Sequence, residues 1–120
     1  LFVDDSEATE IIIDSMLTSF PYIELGSVLN RVVSKIRING RIIIYEKDID
    51  MICHHYNKMG MGVQDINDLL FDTSGSVASV LNIETIVDRL KELGLTIEEQ
   101  FINSETMQSI ITARRNNNEG

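Results

Sequence analysis

An unbroken apolar run occupies residues 42–45, three isoleucines and a tyrosine, and gives way abruptly to the polar EKDID. A short apolar run without alternation is the pattern of a strand buried on both faces, as in the middle of a parallel sheet. Its β-branched and aromatic content, after Asn39 and Gly40, favours a strand over a buried helical turn. Residues 1–3 form a shorter run of the same kind, closed by Asp4, Asp5 and Ser6. The spacing predicts a helix from Ser6 to Pro21. Ser6 caps it, Glu7 and Glu10 face its positive end, and Ala8, Ile12 and Met16 with Ile13, Leu17 and Phe20 make the apolar stripe. Residues 22–25 read as a second strand. A second helix follows, with Val28, Leu29, Val32, Val33 and Ile36 on one face, and a turn at Asn39 and Gly40 leads into the central run.

Beyond the run, Asp48 or Asp50 caps a helix through Ile52, Tyr56 and Met59, with Gly60 as terminator. Residues 63–71 admit either a helical turn or a strand; the loop-forming 72–76 after them favours a strand. Residues 80–93 have helical spacing and are followed by Gly94. Residues 95–101 read as a last strand, and Asn103 and Ser104 cap a final helix ending near Arg114 and Arg115. The whole predicts an α/β fold: a (βα)5 doubly wound, five-stranded parallel sheet of flavodoxin-like topology. One domain spans 1–116, and 117–120 is a linker or tail.

Composition narrows the class. The 120 residues are 43% hydrophobic and 24% charged, as in a soluble globular domain. No apolar run reaches membrane-spanning length, and one cysteine, Cys53, excludes a disulfide framework and suits the cytoplasm. Net charge is −9, against nonspecific nucleic-acid binding, yet residues 25–58 hold six of the ten basic residues. The adjacent His54 and His55 point in different directions on a helix and make no metal site.

In the expected sheet, the carboxyl ends of strands one, three and four meet at one edge, where ligands bind. That edge would gather Asp4 and Asp5, Glu46 and Asp48, and Thr73. Hard oxygen ligands in one crevice suit Mg2+, with Asp4, Asp5 and Glu46 as the ligand set, and a hydroxyl beside them can bond a phosphoryl oxygen.

These features resemble a response-regulator receiver domain (CheY-like) of two-component phosphorelay signalling. LFVDDSEATEIIIDSML is similar to that family's first strand, acidic pair and first helix, DIDM to its Asp-x-x-Met-Pro motif, and Thr73 to its switch residue. The resemblance implies Mg2+ at the acidic pair and phosphoryl transfer from a histidine kinase or phosphotransfer protein. The enzymatic role would be at most autophosphorylation. The acceptor would be Glu46, directly after the run, or Asp48 if DIDM is aligned. Glu46 is preferred, because the alternative buries both Glu46 and Lys47 at a strand end. Glu99 and Gln100 stand where the family has Lys-Pro, which removes the cation that neutralises the phosphoryl group. The expectation is an atypical receiver that acts by protein–protein interaction, including homodimerisation through 80–115, the family's fourth-helix to fifth-helix face, without contacting nucleic acid or membrane. An alternative resemblance, of NGRIIIYEKDI to the wing of MerR-type winged-helix DNA-binding regulators, would make the basic middle a DNA-facing surface.

Overall fold

A computed structural model describes residues 5–71 and 77–116 of the chain. The strands are β1 (Ala8–Asp14), β2 (Ile36–Lys47), β3 (Leu95–Asn103) and β4 (Gln108–Arg115), in the spatial order β1-β2-β4-β3. β1 and β2 are parallel, with Ile11–13 beside Ile42–44, while β4 lies antiparallel between β2 and β3. The helices are α1 (Leu25–Ser34), α2 (Ile49–Lys58), α3 (Val63–Phe71) and α4 (Ile83–Glu92), with short 3-10 turns at Leu17–Ser19 and Tyr22–Glu24.

This mixed sheet replaces the expected five-stranded parallel one. The segment read as a first helix is β1: three consecutive isoleucines favour the pleated surface, and the helical stripe is a coincidence of spacing across a strand and the turn after it. The first expected strand, 1–3, lies outside the described residues. The second, 22–25, is a 3-10 turn leading into α1. The helix expected after Asn103 is also a strand. Asn103 Oδ1 accepts from the Glu105 and Thr106 N–H groups at 2.9 and 3.2 Å, so the same side-chain chemistry that caps helices here closes a β3–β4 hairpin. Residues 63–71, leaned toward a strand, are the amphipathic helix α3.

Other expectations hold. α1 buries Val28, Leu29, Val32 and Val33. Of the two caps expected for α2, Asp48 is the one used, while α4, expected from residue 80, starts at Ile83 behind an Asn82 cap that sequence reasoning did not single out. Gly94, at φ 87°, supplies the left-handed turn from α4 into β3.

β2 has fully buried Ile42 and Ile44 on one face, packed with Ile13, Ile111 and Ala113 against α1 and α4. Its other residues, Ile43 and Tyr45, are half-buried, so the run is covered fully on one side only. Asn39 and Gly40 make no helix-to-strand turn. They lie inside β2, in an irregularity where five steps along β2 match two along β1, and Asn39 takes φ 71° there. The strand runs through 36–45 without a hairpin, which removes the wing required by the MerR-type reading. No helix among the described residues is long and apolar enough to cross a membrane.

Candidate functional site

The carboxyl ends of the parallel pair β1–β2 open on a cavity of about 60 Å³. Ser15, Thr18 and Ser19 line it from the turn after β1, Glu46 and Lys47 from the end of β2, and Ile49 and Ile52 from α2. Leu69 and Leu70 of α3 with Val77, Ser79, Val80 and Leu81 close the other wall. Ser15, at φ 59°, holds a left-handed conformation uncommon for a residue with a side chain, and its N–H donates to the Tyr45 carbonyl at 2.8 Å.

Glu46 follows the apolar run on the same face as Ile42 and Ile44, so strand periodicity drives its carboxylate into the interior. It is fully buried. Oε2 accepts from the Leu17 N–H at 2.8 Å, at the start of the 3-10 turn. Oε1 is the one buried side-chain nitrogen or oxygen without a hydrogen-bond partner among the described residues. Burial pushes the pKa up from 4.5 to about 7, against the lowering influence of the Leu17 N–H and, less, of Thr18 and Met16. A group poised between its two protonation states at neutral pH, with a free oxygen beside a cavity, can accept a hydrogen bond or exchange a proton there. Lys47, the other charged group at this strand end, donates from Nζ to the Leu69 carbonyl at 2.8 Å.

Asp48 has a different role. It too is fully buried, but both oxygens are occupied. Oδ1 accepts from Met51 N at 2.9 Å; Oδ2 accepts from Ile83 N at 2.8 Å and from the Ser109 hydroxyl at 3.1 Å. One carboxylate thus caps α2, holds the first residue of α4 and ties both to β4. It is a structural clasp, and the reading of Asp48 as an alternative phosphoacceptor fails with the receiver fold.

The Mg2+ site does not form as expected. Asp5 precedes β1 and pairs with Lys35 at 2.9 Å, near the strand's amino end. Glu46 lies past its carboxyl end, so the length of β1 separates them by roughly 20 Å. Among the described residues, no group of three His, Cys, Asp or Glu could hold a metal ion. Asp4 and Thr73 lie outside the described residues. Sequence reasoning located Glu46 from the run that precedes it. It missed Leu17, Thr18 and the α3 wall, which carry no local motif and reach the site only through the fold.

No family model and no curated protein matches the chain. Solved structures do, several of them methyltransferases. A SAM-dependent methyltransferase from Methanosarcina mazei superposes with TM-score 0.67 at 14% identity, over 97% of this chain and 63% of that one. The CurJ carbon methyltransferase gives 0.67 at 15%, over 95% and 31%. The 1,6-didemethyltoxoflavin-N1-methyltransferase of Burkholderia thailandensis, solved with 1,6-didemethyltoxoflavin and S-adenosylhomocysteine, gives 0.64 at 13%, over 95% and 46%. At such identities the likeness shows the fold alone: the chain shares the Rossmann-like fold of these methyltransferase structures over most of its length. It spans 31–63% of the length of eight matching solved structures.

This overturns the receiver-domain resemblance, with its phosphorelay function, its histidine-kinase or phosphotransfer partner and its Mg2+. The 80–115 dimer face goes as well, since 95–115 is a hairpin within the sheet and not a strand followed by a helix. The MerR-type alternative falls with it.

Proposed function

We propose that the chain is part of an S-adenosylmethionine-dependent methyltransferase and that the Glu46 cavity receives the acceptor group of its substrate. The observation that carries this reading is the unpaired Glu46 Oε1 in the wall of a cavity at the carboxyl ends of parallel strands, in a fold shared with solved methyltransferases. In open α/β sheets, ligands sit beyond those strand ends.

The described residues do not themselves fit the methyl donor. S-adenosylmethionine carries a nucleoside and a charged amino-acid group, and molecules of drug-like size occupy pockets of roughly 300–1,000 Å³. The cavity measures about 60 Å³. The connection from β1 to α1 contains no glycine that would let backbone approach such a ligand, and β2 passes to α2 through Asp48 alone. The cavity instead has the size of a single functional group. Donor binding is therefore assigned to none of the described residues. A cytoplasmic setting belongs to the same reading, since Cys53 is an exposed free thiol.

Calorimetric titration with S-adenosylhomocysteine tests the proposal on the 120-residue chain and on a longer polypeptide containing it. The chain alone should give no heat and the longer polypeptide should bind. No binding in either would overturn the reading.

A further inference from the structure

A second space adjoins the cavity at Glu46. A groove of about 240 Å³ runs between α2 and α3, lined by Ile49, Ile52, Cys53, Tyr56, Ile66 and Leu70 among others, and it is almost wholly apolar. Ile49, Ile52 and Leu70 line both spaces. The groove wall includes hydrophobic side chains that stand largely in solvent: Val63 is 63% exposed and Tyr56 43%. An apolar groove adjoining a cavity with one unsatisfied buried oxygen in its wall is the arrangement of a small-molecule site, with a hydrophobic body and a single orienting polar contact.

The charges at the inner end restrict the ligand further. An anion placed there would face the Glu46 carboxylate, and a cation would face the Lys47 ammonium, which lines the same cavity. A neutral hydrogen-bond donor faces neither penalty, and it would satisfy Oε1, whose burial without a partner is otherwise costly.

We infer that the acceptor substrate is a neutral, largely apolar, ring-sized molecule, seated between α2 and α3, whose N–H or O–H donates to Glu46 Oε1. This rests on the reading of the cavity as an acceptor site and adds the class of molecule that fills it.

Cys53 provides the test, because it is the only cysteine and lines the groove. Its alkylation by iodoacetamide, followed by intact mass, is measured on the chain with increasing indole or N-methylindole. The two probes share a ring system, and only indole carries an N–H. Indole should slow alkylation, and N-methylindole should need about fivefold higher concentration for the same effect, the worth of one net hydrogen bond. In Glu46→Gln, whose amide can turn a donor toward the ligand, indole should weaken to the level of N-methylindole. Equal protection by the two probes in the unsubstituted chain would overturn the inference, as would no protection by either. That comparison stands even if the Gln variant fails to fold. Probe binding requires no methyl donor. Failure of S-adenosylhomocysteine to bind would therefore count against the methyltransferase reading alone, and failure of indole against the substrate class alone.

Discussion

Glu46 Oε2 and the Leu17 N–H, 29 positions apart in sequence, meet at 2.8 Å in the interior. The bond joins the end of β2 to the turn after β1 and fixes one wall of the cavity. It also leaves Glu46 with one oxygen bonded and one without a partner among the described residues.

The raised pKa of Glu46 makes stability depend on pH. Its folded value, about 7, lies above the 4.5 of the unfolded chain, so between these values the folded state holds more protons. Stability from this group is fully present below pH 4.5 and is lost as pH rises through 7, by about 3 kcal/mol in all. Glu46→Gln, which can keep the Leu17 bond through its amide oxygen, should remove that dependence. Urea unfolding at pH 5 and pH 8 measures it: the variant should gain on the parent at pH 8 and not at pH 5. Equal differences at both pH values would contradict a buried, titrating Glu46.

Asp48, itself fully buried, holds three donors. Asp48→Ala leaves the Met51 and Ile83 N–H groups and the Ser109 hydroxyl without their acceptor and removes the cap of α2. The expected loss is about 3–5 kcal/mol. Asp50→Ala, an exposed neighbour bonded only to Asn82 Nδ2 at 3.1 Å, should cost less than about 1 kcal/mol. Chemical denaturation of the two variants side by side gives the comparison, and similar losses would refute the clasp.

Gly40 has no room for a side chain. A Cβ there would lie 2.7 Å from Ile36 Cγ2 and 2.9 Å from the carbonyl oxygens of Arg37 and Thr9. The two oxygens belong to backbone and cannot swing aside, so Gly40→Ala should cost about 1–3 kcal/mol. Gly26→Ala is the control: nothing lies within 4 Å of its Cβ, and in helix α1 it should stabilise by roughly 0.5–1 kcal/mol. Thermal melts read opposite shifts.

Magnesium should have no specific effect. With Asp5 and Glu46 at opposite ends of β1, they cannot share a cation. The melting temperature should therefore not move between zero and millimolar Mg2+ at constant ionic strength. A rise that disappears in Asp5→Asn would revive a metal site.

The sequence by itself determined those elements whose signals are local. The run at 42–45 makes a strand in nearly any setting, and the polar residue directly after it is where the candidate site lies. Asp48 caps the helix that follows it, and Val28, Leu29, Val32 and Val33 mark the buried face of α1, because capping and amphipathic spacing act within a few residues. Tertiary structure decided the rest. Residues 8–14 have a helical stripe on paper, yet as a strand they pair with β2 and bury Ile13 against α1 and α4. Residues 108–115 pair on both sides, which gives Arg114 and Arg115 places in a strand where a helix end was expected. Strand direction is also not local: the same run could sit in a wholly parallel sheet, and it is the hairpin closed by Asn103 that sets β4 antiparallel beside it. The partners of Glu46 and Asp48 come from up to 61 positions away, so their chemistry emerges only when the sheet and α4 close around them.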